Sequence, residues 1–179
     1  MAILTLADAK AQLNITDSSS DAELQVYVDS VAAAIEHIVG PVETRSVTEV
    51  VDGYETLCLR QPPVVSVTSV TSIYPGGPTW ATGLLFLDGE LGVVRRIDRA
   101  GFSFGPFTVV YQAGRGSVPP AINLAARIVL AHLWETQRGS RGRTGIGMTD
   151  VTPVPGFGYM MPNQALALLE PFARISGIA

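Results

Sequence analysis

The segment VPPAINLAARIVLAHLWETQRG, residues 118–139, has apolar positions at helical spacing, yet Arg127 is its only formal charge between Val118 and Trp134. Ile122, Ala126, Val129 and Leu133 fall on one helical face, and Leu124, Ile128 and Ala131 on a second. Two apolar faces call for two partners. Ser117 has N-cap chemistry, and Pro119 and Pro120 suit a first turn, where a missing N–H costs little. A helical hairpin at the N-terminus can cover one face. The second is covered either within the chain or by a neighbouring subunit, and the pattern leaves both open.

Upstream, the first forty residues read as a helical hairpin. Thr5 with Asp8, and Ser20 with Glu23, have capping-box spacing, in which a hydroxyl and a carboxylate satisfy the exposed donors of a helix start. Leu6, Ala9 and Leu13 line the first helix; Leu24, Val28, Val31, Ile35 and Ile38 line the second, which Gly40 and Pro41 end. From Glu43 to Gln112 the period changes to two. Strands are expected in SVTEVV, TLCLR, VVSVTSVTSIY, LLFLDG, GVVRRI and FTVVYQ, divided by Asp52-Gly53, Pro75 to Pro78 and Asp88-Gly89. In the third, both parities carry a mixture of Val, Ser and Thr, as on a half-buried or intersubunit sheet. After the apolar helix comes a Gly-rich stretch, 138–161, and then a closing helix, NQALALLEPFARI, with Leu166 and Leu169 inward and Pro171 shortening or kinking it. The expected fold class is α+β: a bundle of about four helices with a small antiparallel β domain inserted between helices 2 and 3. Residues 1–42 form the hairpin, 43–116 the inserted β domain, and 117–179 the C-terminal helices, which pack with 1–42 as one helical domain.

Composition narrows the function. Hydrophobic residues make up 47% of the 179 and charged residues 16%, against roughly 25% charged in ordinary soluble domains. Such a surface suits an oligomer. Residues 1–90 carry 12 acidic and 3 basic side chains, whereas 91–179 carry 4 acidic and 9 basic, so the halves stand at −9 and +5. These surfaces are either separately solvated or meet between subunits. The single cysteine, Cys58, excludes an internal disulfide and a multi-cysteine zinc site. MAILTLADAK lacks the basic start of a signal peptide, which makes a cytoplasmic origin the expectation. The uncharged run from Gln61 to Leu87 is broken by Pro62, Pro63, Pro75 and Pro78 and reads as sheet, not as a membrane span.

No catalytic constellation assembles. HExxH and a Walker loop are missing, and GRTGIG has the wrong glycine pattern for a dinucleotide site. Asp88 and Glu90 sit at a turn; His37 and His132 read as structural histidines. The expectation is no enzyme, no metal and no cofactor. Arg138, Arg141 and Arg143 on a glycine-rich backbone suit non-specific phosphate contact, a solvated loop, or pairing with a neighbour's acidic half. Phe157, Tyr159, Met160 and Met161 form either local core or an adaptable anchor on a partner.

FTVVYQAGRGSVPPAINLAARIVLAHLWETQRG, residues 107–139, resembles the strand, Gly turn, Val-Pro and long helix of the head-to-tail connector (adaptor) proteins of long-tailed double-stranded DNA bacteriophages. LTLADAKAQLNI and DAELQVYVDSVAAAIEHIVG resemble that family's opening helices, and LALLEPFAR its closing helix. The resemblance implies a structural virion protein in the neck, assembled in the host cytoplasm as a homo-oligomeric, dodecameric ring. It also implies a portal protein and a stopper or tail-side neck protein as partners, with the DNA channel continued between them and no membrane. Under it, Leu124, Ile128, Phe157, Tyr159, Met160, Met161 and Phe172 become candidate subunit or portal contacts, and Arg138, Arg141 and Arg143 candidate channel contacts with packaged DNA. The segment 138–161 is long for the family. The rival reading is a non-enzymatic DNA-binding packaging component resembling a small terminase subunit, which the acidic N-terminal helices disfavour.

Overall fold

The computed structural model describes residues 2–138 and 161–174. Its fold is mixed α+β, with helices α1 (Leu6–Leu13), α2 (Asp21–Val39), α3 (Pro120–Arg138) and α4 (Asn163–Leu169). Seven strands lie between α2 and α3: β1 (Arg45–Val51), β2 (Thr56–Cys58), β3 (Val64–Ser72), β4 (Thr79–Trp80), β5 (Leu85–Asp88), β6 (Val93–Arg96) and β7 (Phe107–Ala113). The chain divides into two compact units. One is helical, from residues 2–35 and 119–172; the other, built on the strands, comprises 36–118 and 173–174.

In the helical unit, α1 starts on the expected capping box. The Thr5 hydroxyl accepts from the Asp8 N–H at 3.1 Å, and the Asp8 carboxylate accepts from the Thr5 N–H at 3.3 Å. Asn14 closes the helix in the left-handed region at φ 55°, where its short polar side chain is tolerated. Along α2, Leu24, Val28, Val31 and Ile35 are buried, and the stripe ends on Val39 rather than Ile38. In α3, the buried set is Ile122, Ala125, Ala126, Val129, Leu130 and Leu133, one broad face at helical spacing. The helix begins later than a Ser117 cap would place it. Each proline forces its predecessor out of the helical region, so Pro119 stays outside, its carbonyl accepts from the Ile122 and Asn123 N–H groups, and Pro120 is the first helical residue. In α4 the inward residues are Ala165 and Leu169; Leu166, expected inside, is 41% exposed. Pro171 shortens α4 as expected, leaving a 3-10 turn over Glu170–Phe172.

The strand unit contains two antiparallel sheets, in the orders β1-β7-β3-β4 and β2-β6-β5. Strand β7 alternates perfectly: Phe107, Val109, Tyr111 and Ala113 are buried, with Thr108, Val110 and Gln112 between them. Strand β3 does not. Its register against β7 slips by one residue between Val64 and Ser66 and again between Val67 and Ser69. Each slip is a bulge that flips the phase. Hence Val64, Val67, Val70 and Ser72 share the core side, opposite Ala113, Tyr111, Val109 and Phe107. This explains why neither parity of the β3 sequence is purely apolar. Leu57, Leu59, Val94 and Phe102 complete the core.

The turn from β7 towards α3 depends on glycine. Gly114 has φ 125°, and a Cβ there would stand 2.6 Å from the Glu43 carbonyl oxygen. Next to it, the Arg115 N–H donates to the Val42 carbonyl at 3.1 Å and its guanidinium to the Val39 carbonyl at 3.0 Å, closing the C-terminal end of α2.

Candidate assembly surface

The single charge in the apolar stretch of α3 is consumed inside the helical unit. Arg127 Nη2 donates to Asp8 Oδ1 at 2.5 Å and its Nε to Asn123 Oδ1 at 2.9 Å, while Asn123 Nδ2 donates to the Ile3 carbonyl at 2.8 Å. The Thr5 hydroxyl at 2.7 Å, followed by the Thr5 N–H and Arg127, holds the Asp8 carboxyl below the usual carboxylate value. Trp134 packs edge-on against Tyr27 with ring centroids 5.6 Å apart. These contacts fix α3 by the side that carries its polar residues.

The second apolar face of α3 is only partly covered. Leu124 is 49% exposed, and Ile128 and Ala131 are partly buried. Exposed Leu166 adds a further apolar side chain on α4, and Met161 and Phe172 are partly buried at the two ends of that helix segment. Arg138 is the last residue of α3. Arg141, Arg143, Phe157, Tyr159 and Met160 lie outside the described residues.

A second surface, on the strand unit, was not singled out from sequence. Phe86 of β5 stands opposite Arg95 of β6, and the Arg95 guanidinium lies 5.3 Å from the Phe86 ring centre. Phe86, Arg95, Arg96, Ile97 and Arg99 line an open concavity of about 590 Å³. Leu84, Phe86 and Ile97 are 58%, 50% and 61% exposed. Arg96, between them in sequence, points inward: its guanidinium lies over the Trp80 ring at 4.3 Å, donates to the Gly101 carbonyl and pairs with Asp98. The available signal was the alternation of GVVRRI, which sends adjacent arginines to opposite faces. Among the described residues no cluster of His, Cys, Asp and Glu is arranged to hold a metal, and no helix is long and apolar enough to cross a membrane.

The chain matches the head completion protein family over residues 2–175. The chain belongs to the head completion protein family. This membership agrees with the resemblance to phage head-to-tail connectors read from the ordered helices and the QAGRGSVPP turn. Among solved structures, it is similar to a chain in the neck of an empty GTA particle computed with C6 symmetry. That chain shares 18% identity at a TM-score of 0.65, over 99% of this chain and 92% of that one. A chain in the neck of the native GTA particle, computed with C12 symmetry, shares 18% identity at 0.64, over 97% and 90%. A chain in the virion of the native gene transfer agent particle gives 18% and 0.62, over 99% and 92%. At this identity the likeness is one of fold. No curated protein matches the sequence significantly.

Proposed function

We propose that this head completion protein is a structural, non-enzymatic component of a virion neck. Twelve copies form a ring that docks on the portal protein, hands on to a stopper or tail-side protein, and continues the DNA channel. The observation that carries this reading is the incompletely covered second face of α3, with Leu124 exposed and Ile128 partly buried, on a fold similar to chains from neck assemblies with C6 and C12 symmetry. A partly exposed apolar face beside the buried face of the same helix suits a subunit whose burial is completed by a neighbour. In this reading residues 1–42 and 117–179 act as one helical domain, and 43–116 is an inserted β domain.

Ile128→Asp tests it by placing a charge on the partly buried second face. The variant is expected to fold, judged by circular dichroism, and to fail in ring formation on its own or on the portal; a folded variant that forms normal rings contradicts the role given to this face. Arg138, Arg141 and Arg143 are assigned to non-specific contact with packaged DNA. Replacing all three by alanine is expected to leave rings intact while impairing DNA retention, and unchanged retention and infectivity would remove that assignment.

A further inference from the structure

The ring reading requires each subunit to present two different, mutually complementary surfaces, because a cyclic assembly is joined head to tail. One is the strand-unit patch. Leu84, Phe86 and Ile97 form an exposed apolar centre, and Arg95 and Arg99 flank it. Neither arginine has an ion-pair partner among the described residues, whereas Arg96 is taken up by Asp98. Aromatic and aliphatic centres bordered by arginine are the composition of a protein-binding surface, and a phosphate backbone would leave three exposed apolar side chains uncovered.

The complement lies on α2. Ala22, Val26, Asp29 and Ala33 recur at helical spacing along its outer face, all exposed, with Val26 at 64%. Asp29 and the exposed Glu23 make this face acidic, and no Lys or Arg lies on α2. Its alanines let a partner approach the helix closely around one projecting valine. Apolar character and charge sign therefore match the patch, with the acidic side drawn from the acidic half of the chain and the arginines from the basic half.

Resting on the ring reading, we infer that the Phe86–Arg95–Ile97–Arg99 patch of one copy binds the outer face of α2, around Val26 and Asp29, of a second copy of this chain.

The test is a charge swap read by ring formation, with the purified chain alone and on purified portal. Arg95→Glu with Arg99→Glu is expected to raise the concentration needed for assembly at least tenfold while leaving the circular dichroism spectrum and thermal transition unchanged, since both side chains are exposed. Gln25 is the exposed α2 residue whose side-chain amide donates to Asp29 at 2.8 Å. Adding Asp29→Arg and Gln25→Arg to that variant restores opposite signs at the junction and is expected to return assembly to within about threefold of the original. Wild-type rings together with reversal variants that assemble normally overturn this inference alone. So does a folded fourfold variant that is not rescued. Normal rings with weakened DNA binding would give the arginines to nucleic acid and overturn it too. A wild-type chain that never forms rings, even on portal, overturns the ring reading and this inference with it.

Discussion

Tyr111 shows how a single residue binds the strand unit to a pH range. Its ring is fully buried on β7, and its hydroxyl donates to Glu49 Oε1 at 3.1 Å, which also accepts from the Arg60 N–H at 2.9 Å. Burial, reinforced by the Glu49 charge and hydrogen bond, pushes the phenol from 10.0 up to about 12. The folded chain therefore holds this proton more tightly than the unfolded one. Its contribution is fully present below pH 10 and is lost as pH rises towards about 12. Chemical denaturation across that range is expected to show falling stability in the wild type and a flatter dependence in Tyr111→Phe; parallel curves would show that the linkage is absent. Nothing in the sequence marks this residue, because Glu49 is 62 positions away and becomes its neighbour only through the β1–β7 pairing. The Thr5–Asp8 capping box was legible by contrast, since both partners lie within one turn.

At the scale of elements, helices and most strands could be read because their periods are local, and the exceptions have local causes. Strand β4 is a two-residue pairing, Thr79–Trp80, too short to express alternation. The two bulges in β3 scramble its apolar pattern, and their positions are set by the partner strand rather than by β3 itself. Placing Leu166 inward failed because the larger apolar side chain was preferred over Ala165, which the helix turns into the interior. The two faces of α3 give a direct contrast. Leu130, fully buried, is expected to cost about 2–5 kcal/mol on replacement by alanine. Leu124, half exposed, is expected to cost the isolated chain under about 1 kcal/mol but to weaken assembly. Denaturant midpoints alongside ring yield measure both; a Leu124→Ala chain that is strongly destabilised yet assembles as before would reverse the assignment of the faces.

At the scale of the whole molecule, two sequence features pointed towards assembly: a low charged fraction, and halves of opposite charge. Both suit the proposed ring, in which the surface of each chain is completed by other copies. The apolar side chains that remain exposed are the physical counterpart, with Leu124 on α3, Val26 on α2, and Phe86 and Ile97 on the strand unit. Which of these surfaces meet was beyond the sequence, because a heterologous junction pairs residues far apart in the chain and on different copies. The central claim is the ring itself. Negative-stain imaging of the purified chain, alone and mixed with the proposed portal partner, tests that claim most directly. The account predicts rings, or added density beneath the portal; monodisperse monomers that leave the portal unchanged would contradict it.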